Sequence, residues 1–162
     1  MEIYDRDIAL EWYKYGLEKK DDFFVKFMMH WVAFNWLYSK YEDIDKMTKG
    51  KDTEEWRKIE LFCKEHQGRL SRYNAFDSEE IAVFKKQAVR DGRTGELKQH
   101  HINRFQGVKN RDIASLIGTL YQVRCNLFHG SKSLRINRDI ELVKYSAVIL
   151  EGYLKVYFGI EE

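Results

Sequence analysis

The sequence predicts an all-α fold, an antiparallel helical bundle of about five to six helices. Three observations favour this class. The 162 residues include no proline, the residue that interrupts helices and is common in turn-rich β proteins. Apolar residues recur at three- and four-residue steps over long stretches, which is the helical period. With 44% hydrophobic and 15% aromatic residues, the chain has enough apolar material for a folded core.

Periodicity and capping residues divide the chain into six predicted helices, at residues 3–20, 22–41, 53–66, 78–90, 112–129 and 137–158. The second carries a wide apolar band around Trp31 and Phe34, which indicates the centre of the core. Asn35 is the polar member of that band. We expect it either to satisfy a backbone group inside the bundle or to pack near Arg124. The length fits a single domain spanning residues 1–162.

The third and fourth helices are predicted from their starts, where Thr53 and Ser78 each precede two glutamates. The sixth has one apolar face and a second face of tyrosines, which indicates either a partner surface or the outer part of the core. Those tyrosines are Tyr145, Tyr153 and Tyr157.

Composition narrows the functional classes. The net charge of +2 gives no overall attraction to a polyanion. No apolar run approaches the roughly 18 residues of a membrane span, and the N-terminus lacks the layout of a signal peptide. Cys63 and Cys125 lie far apart without metal-site spacing, which is typical of free thiols in a reducing cytoplasm. We expect a cytoplasmic protein without membrane contact, metal or cofactor.

The fifth helix ends in a polar cluster of Arg124, Cys125, Asn126 and His129. Asp112 is expected to cap its start, and Gly130 is expected to end it in a left-handed conformation. The negative end of the helix dipole favours a cationic imidazole there.

Geometry limits how this cluster is arranged. Arg124 lies on or beside the apolar stripe, so it needs a partner, a cleft or a subunit seam. His129 lies roughly 140° further around the helix. The two side chains converge only if the helix ends near Phe128 or if two copies face each other.

At these residues the chain resembles the HEPN family. The run Arg124-Cys-Asn-Leu-Phe-His129 fits the family's Arg-x4-6-His signature, and Trp31-Val-Ala-Phe-Asn-Trp-Leu-Tyr38 is similar to an upstream run in some members. The family usually has Asn, Asp or His directly after the arginine, where this chain has Cys125.

The resemblance implies a metal-independent endoribonuclease that leaves a 2′,3′-cyclic phosphate. His129 would transfer a proton, Arg124 would hold the phosphate, and Asn126 would orient the substrate or the histidine. The resemblance further implies a homodimer with the fifth helix near the seam, and a bacterial or archaeal defence role as a toxin or abortive-infection effector. An antitoxin or a nucleotidyltransferase is the partner it suggests.

A basic segment precedes this helix. Residues 90–111 contain six basic and two acidic side chains, a net charge of +4. Glycines at 92, 95 and 107 predict a mobile loop. Such a loop favours RNA contacts through phosphates and stacking, although a solvated surface loop fits equally well. The expected RNA-binding residues are Arg104, Lys109, Arg111 and, after the motif, Lys132.

Three alternatives remain open from the sequence. The first is a non-catalytic HEPN-like module for binding or dimerisation that partners a nucleotidyltransferase or another effector. The second is a purely structural helical interaction domain. The third is a thiol enzyme, because Cys125 and His129 lie four residues apart.

Overall fold

The computed structural model describes residues 3–130 and 136–160. Within these ranges the regular secondary structure consists of helices, joined by turns and irregular connections. The predicted fold class is therefore confirmed. The described ranges hold nine α-helices, more than the predicted five to six, because the short α3 and α5 and the longer α7 lie outside the predicted helices. The α-helices are α1 Ile3–Leu17, α2 Phe23–Tyr38, α3 Ile44–Met47, α4 Glu55–Glu65, α5 Gln67–Leu70, α6 Ala82–Lys86, α7 Gln99–Lys109, α8 Ile113–Phe128 and α9 Asn137–Phe158.

Helices α2 and α9 form the centre of the bundle. Helix α2 packs against both α1 and α9, while α7 packs against α8. Tyr153 and Tyr157 of α9 are buried in the core, so the tyrosine face belongs largely to the interior. Within the two described ranges, no helix has both the length and the hydropathy that a bilayer span requires.

The predicted helix at 78–90 is wrong in extent. The structure has 3₁₀ turns at Ala75–Asp77 and Glu79–Ile81, followed by the short α6. Its buried residues, Ile81, Val83, Phe84 and Val89, do not follow a single helical face. Gln87 adopts an extended backbone that ends α6.

The cap predicted at Thr53 is also wrong. The Thr53 hydroxyl accepts a hydrogen bond from the backbone N–H of Asp43 at 2.9 Å, and α4 has no side-chain cap.

Half of the expected mobile loop at residues 90–111 is helix α7, Gln99–Lys109. His101, Phe105 and Val108 lie four and three residues apart, and His101 and Val108 are buried. Gly107 lies directly against Ser115 of α8, so this glycine allows two helices to approach closely. The part of this segment before α7 is an irregular connection.

Helix α8 begins and ends as predicted. The Asp112 carboxylate accepts the N–H of Ser115 at 2.9 Å, and His129 is the C-terminal cap. Gly130 follows with a φ of +68°, a conformation that costs glycine little because it has no Cβ. The helix therefore stops directly after Phe128, one of the two conditions under which Arg124 and His129 converge.

Candidate active site at the end of helix α8

Arg124 is paired inside the structure, as its place on the apolar stripe requires. Its Nη1 lies 3.3 Å from Oε2 of Glu55, the first residue of α4. The guanidinium lies over the ring of Phe128 at 4.6 Å and that of Trp31 at 5.8 Å. An ion pair and two aromatic faces therefore fix this cation in place.

Glu55 is the centre of a hydrogen-bond network. The Tyr38 hydroxyl donates to Oε1 of Glu55 at 2.6 Å, and the Tyr121 hydroxyl donates to Oε2 at 3.4 Å. Asn35 in turn donates to the Tyr38 oxygen at 2.9 Å. Burial, and then the bond to Glu55, raise the pKa of Tyr38, so it remains a proton donor near neutral pH. Asn35 thus connects to the Arg124 cluster through Tyr38 and Glu55.

His129 is exposed, and its imidazole orientation is set by a local bond. Nδ1 lies 2.6 Å from the backbone oxygen of Cys125. Because a carbonyl oxygen only accepts hydrogen bonds, Nδ1 carries the proton and Nε2 carries the lone pair of the neutral ring. The ring is hydrogen-bonded to the backbone carbonyl of Cys125 and not to its sulfur. The Cys125 sulfur lies 3.9 Å from Nη1 of Arg124. This arrangement offers a base at Nε2 and gives no support to a thiolate–imidazole pair.

Asn126 is buried, with 2% of its surface exposed. Its Oδ1 accepts the N–H of Gly92 and an N–H of Gln122, both at 2.9 Å. Its Nδ2 donates to the backbone oxygen of Arg90 at 2.9 Å. These bonds make Asn126 a positioning residue that holds the connection before α7 against α8.

The same network extends to His101. The Lys98 N–H donates to Nδ1 of His101 at 2.9 Å, so the ring proton is on Nε2 and is donated to Gln122 Oε1, 3.1 Å away. Burial lowers the pKa of His101, which keeps the ring neutral near pH 7. A buried chain of polar groups therefore links the start of α7 to the last turns of α8.

The four basic residues expected to bind RNA are in different places. Arg104 lines a groove beside α8. Lys109 lies over the Phe105 ring at 4.3 Å, and Arg111 pairs with both oxygens of Asp77 at 2.6 and 3.1 Å. Lys132 lies outside the described residues.

Lys109 and Arg111 precede the first turn of α8, whereas Arg124 lies in its last turns. From Ile113 to Arg124 the helix rises about 16 Å. The structure thus brings neither Lys109 nor Arg111 to Arg124, and Arg104 is the one nearer to it along α8.

Sequence reasoning missed Glu55, Tyr121, Gln122 and His101. Glu55 lies 69 residues from Arg124, and no local pattern connects them. Gln122 was detectable in principle, because it lies four residues before Asn126 beside a stripe of buried residues.

Comparison of the chain with protein-family models, with curated proteins and with solved structures gives no match.

Proposed function

We propose that this chain is a metal-independent endoribonuclease that cuts single-stranded RNA, with Arg124 and His129 as its catalytic residues. The observation that carries the proposal is the 2.6 Å contact between Nδ1 of His129 and the backbone oxygen of Cys125, from which the tautomer follows. The Cys125 carbonyl holds the proton on Nδ1, so an exposed ring presents Nε2 as a base at the end of α8. The resemblance of this turn to the HEPN signature supports the same reaction.

In this reaction the ribose 2′-oxygen attacks the adjacent phosphorus and the bond from phosphorus to the 5′-oxygen breaks. Nε2 of His129 takes the proton of the 2′-hydroxyl, and Arg124 stabilises the charge that develops on the phosphate oxygens. The products are a 2′,3′-cyclic phosphate and a 5′-hydroxyl, whose oxygen must gain a proton.

A second copy of the chain would supply that proton. One chain has one histidine at this site, and the reaction benefits from both a base and an acid. Phe128 is 57% exposed beside Arg124, so this end of α8 is accessible to a second copy. We therefore extend the proposal to a homodimer. A strictly monomeric protein that still cuts RNA would contradict this extension.

The test is cleavage of end-labelled single-stranded RNA in excess EDTA. We expect the wild type to cut and to leave cyclic-phosphate ends. His129→Ala and Arg124→Ala should each lower the rate by at least about 100-fold, because each removes a group that acts in the transition state.

Arg72→Ala is the matched control, since Arg72 is exposed and lies outside this site. It should cut like the wild type. Cleavage that persists in His129→Ala, or that stops when EDTA is added, would contradict the proposal.

One observation favours a second candidate, a non-catalytic HEPN-like module for binding or dimerisation that partners a nucleotidyltransferase or another effector. Glu55 already occupies Nη1 of Arg124 in the free chain, as it would in a purely structural ion pair. On this alternative the wild type does not cut RNA, and His129→Ala changes the affinity for the partner. For the ribonuclease, the resemblance suggests a role in bacterial or archaeal defence.

A further inference from the structure

A groove of about 520 Å³ runs between α4, α7 and α8. Trp56 and Glu60 of α4 line it, together with His100, Asn103 and Arg104 of α7 and Tyr121 of α8. The volume lies in the range of sites that hold small organic ligands. Tyr121 also donates to Glu55, the partner of Arg124, so the groove adjoins the candidate active site.

Arg104 is the unpaired cation of this groove. It is half-buried and lies over the Trp56 ring at 4.4 Å. Among the residues that the structure describes, no oxygen accepts a hydrogen bond from it, whereas Arg57, Arg111 and Arg124 each contact a carboxylate. None of its nitrogen atoms is sealed from solvent, so its N–H groups reach the groove. A half-buried guanidinium without an acceptor indicates a site for an anion.

The acidic residues of the groove already have partners. Glu60 contacts Arg57 at 3.4 Å, and Asp112 caps α8 by accepting from Ser115. Neither is bonded to Arg104, so the guanidinium is available to a ligand.

Gly118 makes this arrangement possible. A Cβ at this position would lie 2.7 Å from Nε of Arg104 and 2.8 Å from Cη2 of Trp56. The absence of a side chain lets both groups lie against α8, and Trp56 stacks on Tyr121 with ring centres 5.9 Å apart. Trp56, Tyr121 and the backbone at Gly118 thus form the wall of the groove beside the Arg104 guanidinium.

We infer that this groove binds one nucleotide of the RNA strand, with its phosphate on Arg104 and its base beside His100 and Asn103. The inference rests on the proposed function. Gly118 and Arg124 are six residues apart on α8, a rise of about 9 Å, which a single strand crosses in one or two nucleotides. Imidazole rings and guanidinium planes are surfaces on which unpaired bases stack. The groove therefore holds a neighbour of the nucleotide that is cut.

The test measures binding of a short single-stranded RNA in which methoxy groups replace every 2′-hydroxyl. Such an RNA has no 2′-nucleophile, so its binding does not depend on catalysis. We expect the indole N–H resonance of Trp56, assigned by its loss in Trp56→Phe, to shift on binding. Arg104→Gln should raise Kd by about tenfold or more, because a hydrogen-bonded charge is lost. Arg72→Gln removes the same charge at an exposed position and should change Kd by less than about twofold.

Gly118→Ala is the second variant, and it keeps Arg104 in the chain. The new methyl group displaces Arg104 and Trp56, so binding should weaken several-fold while the helical circular dichroism spectrum is retained. AMP and inorganic phosphate complete the set of probes. We expect the oligonucleotide to bind more tightly than AMP, and AMP more tightly than phosphate.

Several results would overturn the inference. The first is a Trp56 resonance that does not shift at saturation. The second is an equal loss of binding affinity in Arg104→Gln and Arg72→Gln. The third is equal affinity for AMP and for phosphate. An oligonucleotide no tighter than AMP would overturn the strand subsite in favour of a free-nucleotide site. Cleavage of unmodified RNA is scored separately. If RNA is cut but its binding does not depend on Arg104, only the proposed nucleotide site in the groove is refuted. If binding depends on Arg104 but RNA is not cut, only the proposed ribonuclease activity is refuted.

Discussion

The charged Arg124 is tolerated within a helical bundle because protein groups replace part of the water around its guanidinium. Glu55 supplies the opposite charge, and Trp31 and Phe128 cover the guanidinium with aromatic faces. A half-buried cation that lost its carboxylate would have to be solvated by fewer groups. The ion pair therefore contributes to the stability of the fold, whatever reaction the site performs.

Replacement of Glu55 tests this contribution. Glu55→Gln keeps the shape of the side chain but removes its charge, and we expect the free energy of unfolding to fall by about 1 kcal/mol in urea titrations. Glu54→Gln is the matched control. The neighbouring Glu54 is exposed, and its substitution removes only a 3.7 Å contact with Lys46. Its unfolding curve should overlay that of the wild type. Equal effects of the two substitutions would argue against a stabilising ion pair.

Helix α8 shows which parts of an element the sequence predicts well. Asp112 and Gly130 are local signals, and both act where the pattern indicated. Helix α7 was missed because its buried positions include the polar His101, and because its surroundings are rich in glycine and charge. Neighbouring helices stabilise α7 through contacts that no local pattern records. The same reason applies to Glu55, whose relation to Arg124 arises only in the folded bundle.

The buried Asn126 amide makes three hydrogen bonds that involve the connection before α7 or its neighbour Gln122. Asn126→Ala would leave the N–H of Gly92, the oxygen of Arg90 and an amide hydrogen of Gln122 without their partner. We expect the free energy of unfolding to fall by about 1–3 kcal/mol and the Gly92 amide to exchange its hydrogen faster.

Asn103→Ala is the control for this effect, since it removes only an exposed bond from Gln99 on the surface of α7. A loss below about 0.5 kcal/mol is expected there. Unchanged exchange at Gly92 in Asn126→Ala would show that other contacts hold the connection.

For the whole molecule, histidine burial sets the response to acid. Burial lowers the pKa of His30, His66, His100 and His101 below the ordinary 6.5. His30 is fully buried, and the bond from its Nε2 to Glu151 opposes this shift only in part. Between 6.5 and the lowered folded values, the unfolded chain binds more protons than the folded one.

We therefore expect the free energy of unfolding to decrease as the pH falls from about 7 to about 5, the window above the ordinary carboxylate pKa values. Urea titrations across this range measure the effect. His30→Gln should reduce the dependence on pH even if it lowers stability at every pH. A free energy of unfolding that is constant or rises on acidification would contradict this account.

Phe128 carries a consequence for association. It is exposed on one side and stacks on Arg124 on the other, so a protein surface that covered it would also exclude water from the Arg124–Glu55 contact. In the lower local dielectric the attraction between the two charges grows. A partner that binds over Phe128 therefore strengthens the Coulomb attraction between Arg124 and Glu55, the pair that joins α8 to α4.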